Sequence, residues 1–419
     1  MTQIMKNKDI IGIIKSLPLD FMESTASELR TDYKAKKLSS IRLFTLLLLA
    51  FLRNSTMSQR FTCEQSSCEL LDDFLGISIP VTPLSHSSLA DRLATMNPVF
   101  FARVYEKVFG MAEKELGADE LSSSDIIRVD TTLVAETSAR LREGIDTGVN
   151  HRFGGRKRHI KYGMAYDGFS AVLEKVFTRQ KESGEEIALA QTVKDTIRQE
   201  GAPGRTIVFD RGTTGYDNLC EIRGLCEEKK CHFVSRLKLN RVYTIEKQLL
   251  ERDAVREDDE FEIMEDCMAL LNRPSGSEYD NRPFRIVRVR FRKTRPRTMP
   301  SAKRRRYEPE MVLVSDQTET PAMEIVHQYR HRWSIEVFYR FLKQNLCFSH
   351  ILSTSINGIQ IMLYMTLTVA VLVRLFAKRN GIGNTLAMTR MIVQIENWVY
   401  LHPAKVQKST STPGFCNTQ

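Results

Sequence analysis

Cysteine is scarce, 8 in 419 residues, which excludes a small disulfide-stapled scaffold and makes a reduced, cytoplasmic setting the expectation. Glycine, at 21, and proline, at 13, are too few for a collagen-like or low-complexity chain. Long uninterrupted apolar runs are also missing. Leu43–Leu52 is closed by Arg53 and is too short to cross a bilayer. Ile359–Val373 is broken by Gln360, Tyr364, Thr366 and Thr368 and ended by Arg374, so it reads as a buried core helix, and no membrane partner is expected. Lys6 and Lys8 are not followed by an apolar segment, so no secretory leader is expected. What remains, at 42% hydrophobic and 27% charged residues, is globular, with room for two or three domains at roughly 100–200 residues each.

Acid is absent where base is dense. The chain carries 61 Lys and Arg against 51 Asp and Glu, a net charge of +10. Twelve of those basic residues fall between Arg282 and Arg306, a stretch with no acid, and without it the balance is 49 against 51. A second acid-free patch holds Arg152, Arg156, Lys157, Arg158 and Lys161, and removing both leaves 44 against 51. Segregated positive charge suits a polyanion, because neutralising phosphates releases condensed counterions. A solvated basic loop is the competing reading for either patch alone.

Along the chain, residues 1–120 have helical spacing at Asp20–Leu29, Ile41–Leu52 and Leu89–Leu116, with Ser87 or Ser88 as an N-cap; Ser85–Met96 has the place of a DNA-reading helix of a helix-turn-helix, but nothing in its residues is specific to that role. The pattern changes at Asp125. Ile126–Asp130 and Thr206–Asp210 read as buried strands that each end in aspartate, with a hairpin at Ile160–Phe177, a helix at Glu185–Gln199, a helix at Tyr216–Glu228 and a strand at His232–Leu237. Residues 240–310 read as a separate, basic, β-rich piece in which Val287, Val289 and Phe291 face one way and Arg288, Arg290 and Arg292 the other. Met311–Val314 resumes a buried strand, Pro321–Leu346 reads as one long helix, and the Ser/Thr-rich end after Pro403 reads as disordered. The resulting segments are 1–120, 121–239, 240–310, 311–380 and a C-terminal tail, 381–419.

On the helix around Glu336, side chains at 100° per residue place Tyr329, Arg332, Glu336 and Lys343 within about 60° of one another. Ile335, Phe338, Phe341 and Leu342 lie opposite and supply the packing face. Taken alone, Arg332 and Glu336 are an ordinary i,i+4 pair. With Asp130 and Asp210 at strand ends, where α/β sites assemble, the stripe means more. Converging carboxylates repel and raise one another's pKa, a conflict that a hard, oxygen-seeking cation such as Mg²⁺ relieves. Two such ions stabilise both oxygens of an in-line phosphoryl displacement, and Arg332, Lys343, Arg211 and Lys161 suit phosphate charge outside them.

Val129-Asp130-Thr131-Thr132-Leu133, Phe209-Asp210-Arg211-Gly212 and Tyr329-x2-Arg332-x3-Glu336-x6-Lys343 resemble the bacterial DDE transposases of the insertion-sequence-four type, whose Tyr–Arg–Glu–Lys spacing is matched at all four positions. The resemblance spans about residues 121–380 and is loose over 1–120. It implies an α/β fold: a ribonuclease-H-like mixed-sheet core interrupted by a β-rich insertion, with an α-helical N-terminal domain. It implies Asp130, Asp210 and Glu336 as the catalytic, metal-binding triad for two divalent cations, Mg²⁺ or Mn²⁺, and Tyr329, Arg332 and Lys343 as contacts to DNA phosphates. The chemistry implied is hydrolytic nicking at element ends followed by strand transfer, on double-stranded DNA as ends and target, by a homodimer at the nucleoid. Arg156, Arg158, Lys161 and Arg211, with Arg288, Arg290 and Arg292, are the further DNA-binding candidates. His331 stands where many relatives carry Arg, and Tyr216 lies later than the aromatic that usually follows the second aspartate. A stand-alone nuclease and a DNA-binding protein derived from an inactive or domesticated copy are the alternatives.

Other acids have structural readings: Asp167 as a turn residue, Asp217 as a helix N-terminal residue, and Asp316 at a strand end. Cys220, Cys226 and Cys231 lack the paired C-x2-C spacing of zinc ribbons. Trp333, beside the stripe, is assigned to core packing in preference to stacking on a base.

Overall fold

The computed structural model describes residues 9–33, 35, 37–53, 58–65, 84–116, 125–134, 144–150, 155–251, 256–292, 310–348 and 352–401. Residues 402–419, and with them the Ser/Thr-rich end, lie outside the described residues, as do 293–309 within the basic stretch. The chain divides into two compact units, Met1–Glu115 with Gln344–Gln419, and Leu116–Lys343.

Helices build the first unit: α1 (Ile10–Lys15), α2 (Leu19–Glu28), α3 (Ser40–Arg53), α4 (Gln59–Gln65), α5 (His86–Thr95), most of α6 (Val99–Leu116), and, far along the chain, α11 (Ile356–Asn380) and α12 (Asn384–Leu401). Leu43–Leu52 is buried on every face of α3, as expected of a helix at the centre of a bundle. The same holds for α11: it is long and apolar enough to span a membrane, but 83% of its apolar window is buried in the protein. Gly381 ends α11 in the left-handed region (φ 61°), and Ile382 N–H returns to the Ala377 carbonyl at 3.0 Å, closing the orphan carbonyls of the last turn. Arg379 at that end meets Glu115 at 2.5 Å, and Arg53 meets Glu396 at 2.8 Å. The segment expected to be a tail from 381 therefore holds a packed helix, α12, with Met391 and Ile395 buried. The N-cap of α5 is Ser85, whose Oγ accepts from Ser88 N–H at 3.2 Å, two to three residues before the position expected.

The second unit is one mixed sheet with helices. Its strands are β1 (Ile126–Val134), β2 (Ile145–Asn150), β3 (Gly155–Tyr166), β4 (Ala171–Phe177), β5 (Thr206–Phe209), β6 (His232–Leu237), β7 (Tyr243–Gln248), β8 (Phe261–Leu271), β9 (Phe284–Phe291) and β10 (Glu310–Ser315). The order is β2-β3-β1-β5-β6-β10-β9-β8-β7, with β4 also on β3. β1, β5 and β6 run parallel, and their neighbours on both sides run antiparallel. Residues 240–310 are β-rich but not a separate piece: β7, β8 and β9 continue the same sheet through β10.

Burial follows the two-residue period of a strand. Ile207, Phe209, Phe233, Val312 and Val314 meet α7 (Glu185–Glu200) and α8 (Tyr216–Lys229) through Leu189, Val193, Leu219 and Ile222. On the other face Val208, Val234, Met311 and Leu313 meet α9 (Ala322–Arg330) through Met323, Ile325 and Val326. The central strands are thus apolar throughout because both faces are covered. The stretch expected as one helix from Pro321 is two, α9 and α10 (Trp333–Asn345), separated at His331-Arg332. Arg332 N–H reaches the Tyr329 carbonyl at 2.9 Å, so the break is a tightened turn and the chain direction is not lost.

Candidate functional site

Val129 pairs with Phe209, and an aspartate follows each: Asp210 just past the end of β5, and Asp130 where the parallel pairing stops. Asp130 does not end its strand as expected, because β1 runs on to Val134 paired with β3. Asp210 caps the 3-10 turn Arg211–Thr213, its Oδ1 accepting from Arg211 N–H at 2.8 Å, and Asp130 Oδ1 accepts from Thr131 N–H at 2.8 Å. α10 lays Ile335, Phe338 and Leu342 into the core, with Phe338 stacked on Tyr166 at 4.6 Å between ring centroids. That packing fixes where Glu336 points.

Arg332 stands among the acids. Its Nη2 donates to Glu336 Oε1 at 2.6 Å and its Nη1 lies 4.0 Å from Asp210 Oδ2. Tyr329 O–H donates to Asp210 Oδ1 at 3.1 Å. Lys343 Nζ donates to Thr132 Oγ1 at 2.6 Å and to the Leu133 carbonyl at 3.2 Å, holding α10 to the end of β1. Tyr329, Arg332 and Lys343 therefore reach the ends of β5 and β1, and Glu336 is held to them through Arg332, although a break separates Tyr329 from Glu336.

Electrostatics reflect this crowding. Burial pushes the Asp130 carboxyl up to about 6, and Asp210 and Glu336 add to the rise against the Thr131 N–H and Arg332. Burial alone would lower the Arg332 pKa, but Tyr329, Asp210 and Glu336 raise it above its ordinary value. Burial and then Asp210 raise the Tyr329 phenol, so it stays a donor at neutral pH. Burial lowers the Lys343 pKa, with Asp130 opposing. Arg332 and Lys343 both act against this gathered negative charge. Among the described residues, no three or more His, Cys, Asp or Glu are gathered closely enough to grip a metal ion without rearrangement.

The remaining candidates are placed differently. Lys161 is buried on β3 and donates to the Ser183 carbonyl at 2.5 Å. Arg158 is half-buried on the same strand, and Arg156 lies on it, while Arg152 lies outside the described residues. Arg211 is exposed beside Asp210. Arg288, Arg290 and Arg292 form the expected polar face, but each meets acid from adjoining segments. Arg288 lies 3.6 Å from Glu265, Arg290 3.2 Å from Glu310 and Arg292 2.9 Å from Glu257. These three arginines, from a stretch free of acid in sequence, are thus paired in space with acid from β8, β10 and the segment before β8.

Trp333 does not pack in the core: it is 53% exposed, with Arg340 6.0 Å from its ring. Tyr216 points away from the site, its O–H donating to the Asp280 carbonyl at 3.1 Å. Asp167 accepts from Phe169 and Ser170 N–H as a turn residue, and Asp316 pairs with His232 at 3.1 Å. Sequence reasoning missed Tyr339, whose O–H donates to the Asp130 carbonyl at 2.8 Å. The helical arithmetic that linked Arg332 to Lys343 also puts residue 339 on that stripe.

A family model described as the transposase DDE domain matches residues 122–372. A curated protein of Sinorhizobium fredii (strain NBRC 101917 / NGR234), named "Putative transposase y4zB", is 26% identical over 179 residues. That match covers 43% of this chain and 44% of the relative, so the chain spans less than half the length of the curated protein it resembles. Among solved structures, a piggyBac transposase synaptic complex with hairpin DNA is similar over 99% of this chain and 84% of that one, at 12% sequence identity and a TM-score of 0.40.

Proposed function

The chain belongs to the transposase DDE-domain family, and on that premise we propose that it is the DNA transposase of a bacterial insertion sequence of the insertion-sequence-four type, acting in the cytoplasm at the nucleoid. The observation that carries the reading is that Asp210 and Glu336 share Arg332, Asp210 also accepts from Tyr329, and Asp130 lies within electrostatic reach of all three charged groups, Arg332, Asp210 and Glu336. An antiparallel β4-β3-β1 run continuing into parallel β1-β5-β6 supports a ribonuclease-H-like core, with β7–β9 as the β-rich insertion.

The donor set fits divalent metal: its ligands are all carboxylate oxygens, as Mg²⁺ and Mn²⁺ prefer, and its negative charge exceeds what Arg332 and Lys343 neutralise. Asp130, Asp210 and Glu336 would hold two such ions, which supply charge stabilisation to the attacking and leaving oxygens of phosphodiester cleavage. The chain's own residues do the rest. Tyr329 holds Asp210 in place through its O–H, and Tyr339 and Lys343 tie the end of β1 to α10. Arg332, Lys343 and Arg211 carry the positive charge that a DNA phosphate at the carboxylates requires. Arg156 and Arg158 extend that charge along β3, whereas Lys161 is turned inward to the Ser183 carbonyl. Arg288, Arg290 and Arg292 reach DNA only by exchanging glutamate for phosphate. Cleavage at element ends followed by transfer of the freed 3′-hydroxyl into target DNA, by a homodimer holding two ends, completes the proposal.

The test uses the full chain, DNA carrying the ends that flank the coding region, and Mg²⁺. Cleavage at those ends by the wild type, lost in Asp130→Asn with the fold retained by circular dichroism, supports the assignment. Undiminished cleavage by Asp130→Asn contradicts it.

A further inference from the structure

The parallel strand next to Asp210 ends in a second feature. β6 runs beside β5 with Phe209 opposite Ser235, so Lys238, just past the end of β6, emerges at the same edge of the sheet as Asp210. Between the two strand ends lies a cleft of about 430 Å³, lined by Arg211, Thr214, Lys238, Arg241 and Glu186 together with the glycines of the Asp210 turn. The wall is closely packed: a Cβ at Gly212 would come 2.8 Å from Glu185 Cγ, and one at Gly215 2.8 Å from Glu186 Oε1, so either glutamate side chain would have to move. The volume falls in the range of ordinary ligand clefts, about 300–1,000 Å³. The lining is unlike an ordinary one, with three cations against one carboxylate.

Charge balance separates this cleft from the basic strand β9. Each β9 arginine at 288, 290 and 292 has a glutamate partner. Among the described residues, neither Lys238 nor Arg241 has an ion-pair partner, and Arg241 Nε is buried with no hydrogen-bond acceptor. A cleft that holds two cations without an ion-pair partner suits a multivalent oxyanion.

We propose that the Arg211–Lys238–Arg241 cleft is a phosphate-binding subsite that seats a phosphodiester of the DNA strand next to the bond placed at the carboxylates. The inference rests on the DNA-processing function proposed above. Arg211 lines the cleft and directly follows Asp210, so the cleft opens beside the turn that carries the carboxylate, where the DNA strand leaving it would pass. The cleft thereby fixes which phosphodiester meets the acids. Lys238 and Arg241 are positioning residues: they act on the strand, not on the reacting atoms.

The experiment measures DNA binding by the full chain as a function of salt, using duplex from the flanking ends, for wild type and for Lys238→Gln with Arg241→Gln. The double variant keeps a wild-type circular dichroism spectrum, and its slope of log affinity against log salt becomes shallower by about one to two units. A second arm replaces single phosphates near the cut with uncharged methylphosphonates. One such position weakens binding by the wild type and leaves the double variant unaffected. An unchanged slope in the folded double variant, or equal methylphosphonate losses in both proteins, overturns the subsite while leaving the transposase reading in place. Failure of the wild type to bind any DNA overturns that reading and the subsite with it.

Discussion

At Asp130, burial and two nearby carboxylates raise the pKa to about 6 while Arg332 and a backbone N–H pull it down. Arg332 meets both Glu336, at 2.6 Å, and Asp210, at 4.0 Å, so its charge is shared between them. Tyr329 matters for a different reason: its phenol orients Asp210 and changes no charge. Tyr329→Phe removes that hydrogen bond and leaves the packing of the ring, so folding is unchanged and end cleavage falls by about 10–100-fold, as for other residues that orient a metal-binding carboxylate. A cleavage rate within about twofold of wild type would show that Asp210 is held without Tyr329. The residue types and spacing of this cluster were legible in the sequence, because helical and strand periods relate position to direction. Tyr339 was equally accessible to that arithmetic, whereas Lys161 was not. Nothing local to Lys161 reveals that β3 turns it inward toward the Ser183 carbonyl.

Among the elements, β9 shows how a sequence pattern and its meaning come apart. Alternation was readable and correct in direction, but the partners of its arginines lie on β8, on β10 and ahead of β8, which only the sheet order brings near. Arg285 is the extreme case: part of the acid-free stretch, it is wholly buried and bidentate with Asp266, at 2.8 and 2.9 Å. Asp266→Asn leaves that guanidinium uncompensated and is expected to cost about 3–5 kcal/mol of unfolding free energy in urea titration. A loss below about 1 kcal/mol would mean that the Gln317 and Thr320 carbonyls suffice. β6 offers a pH-dependent case. The hydrogen bond to Asp316 raises the His232 pKa against the opposing effect of burial. A raised folded-state value makes this pair stabilising below about pH 6.5, with the contribution lost as pH rises through the folded pKa. With the imidazole 47% exposed, the effect is at most about 1 kcal/mol. His232→Gln therefore lowers the melting temperature at pH 5.5 and has little effect at pH 9, and an equal loss at both would assign the pair a packing role alone. The break between α9 and α10 had no sequence signal, since His331-Arg332 contains neither glycine nor proline.

For the whole molecule, the division into units was less legible than the strands. The helical character of the N-terminal region and the mixed α/β character beyond Asp125 followed from apolar periodicity, yet the helices after Lys343 join the N-terminal unit. Their partners are more than two hundred residues away, as in Arg379 with Glu115 and Arg53 with Glu396, and periodicity carries no information about such distant contacts. Family membership, set by residues 122–372, makes DNA rearrangement the central claim. Cutting alone would suit a nuclease built on the same core, and binding alone would suit an inactive derivative, so joining decides. The most direct measurement is strand transfer: purified full-length chain, Mg²⁺ and DNA bearing the flanking ends, with a target plasmid, run beside Glu336→Gln and a chelated control. Joined product from the wild type, absent from both controls, is the predicted result. Joined product persisting in Glu336→Gln, or end cleavage by the wild type with no joining under any condition, would contradict the account.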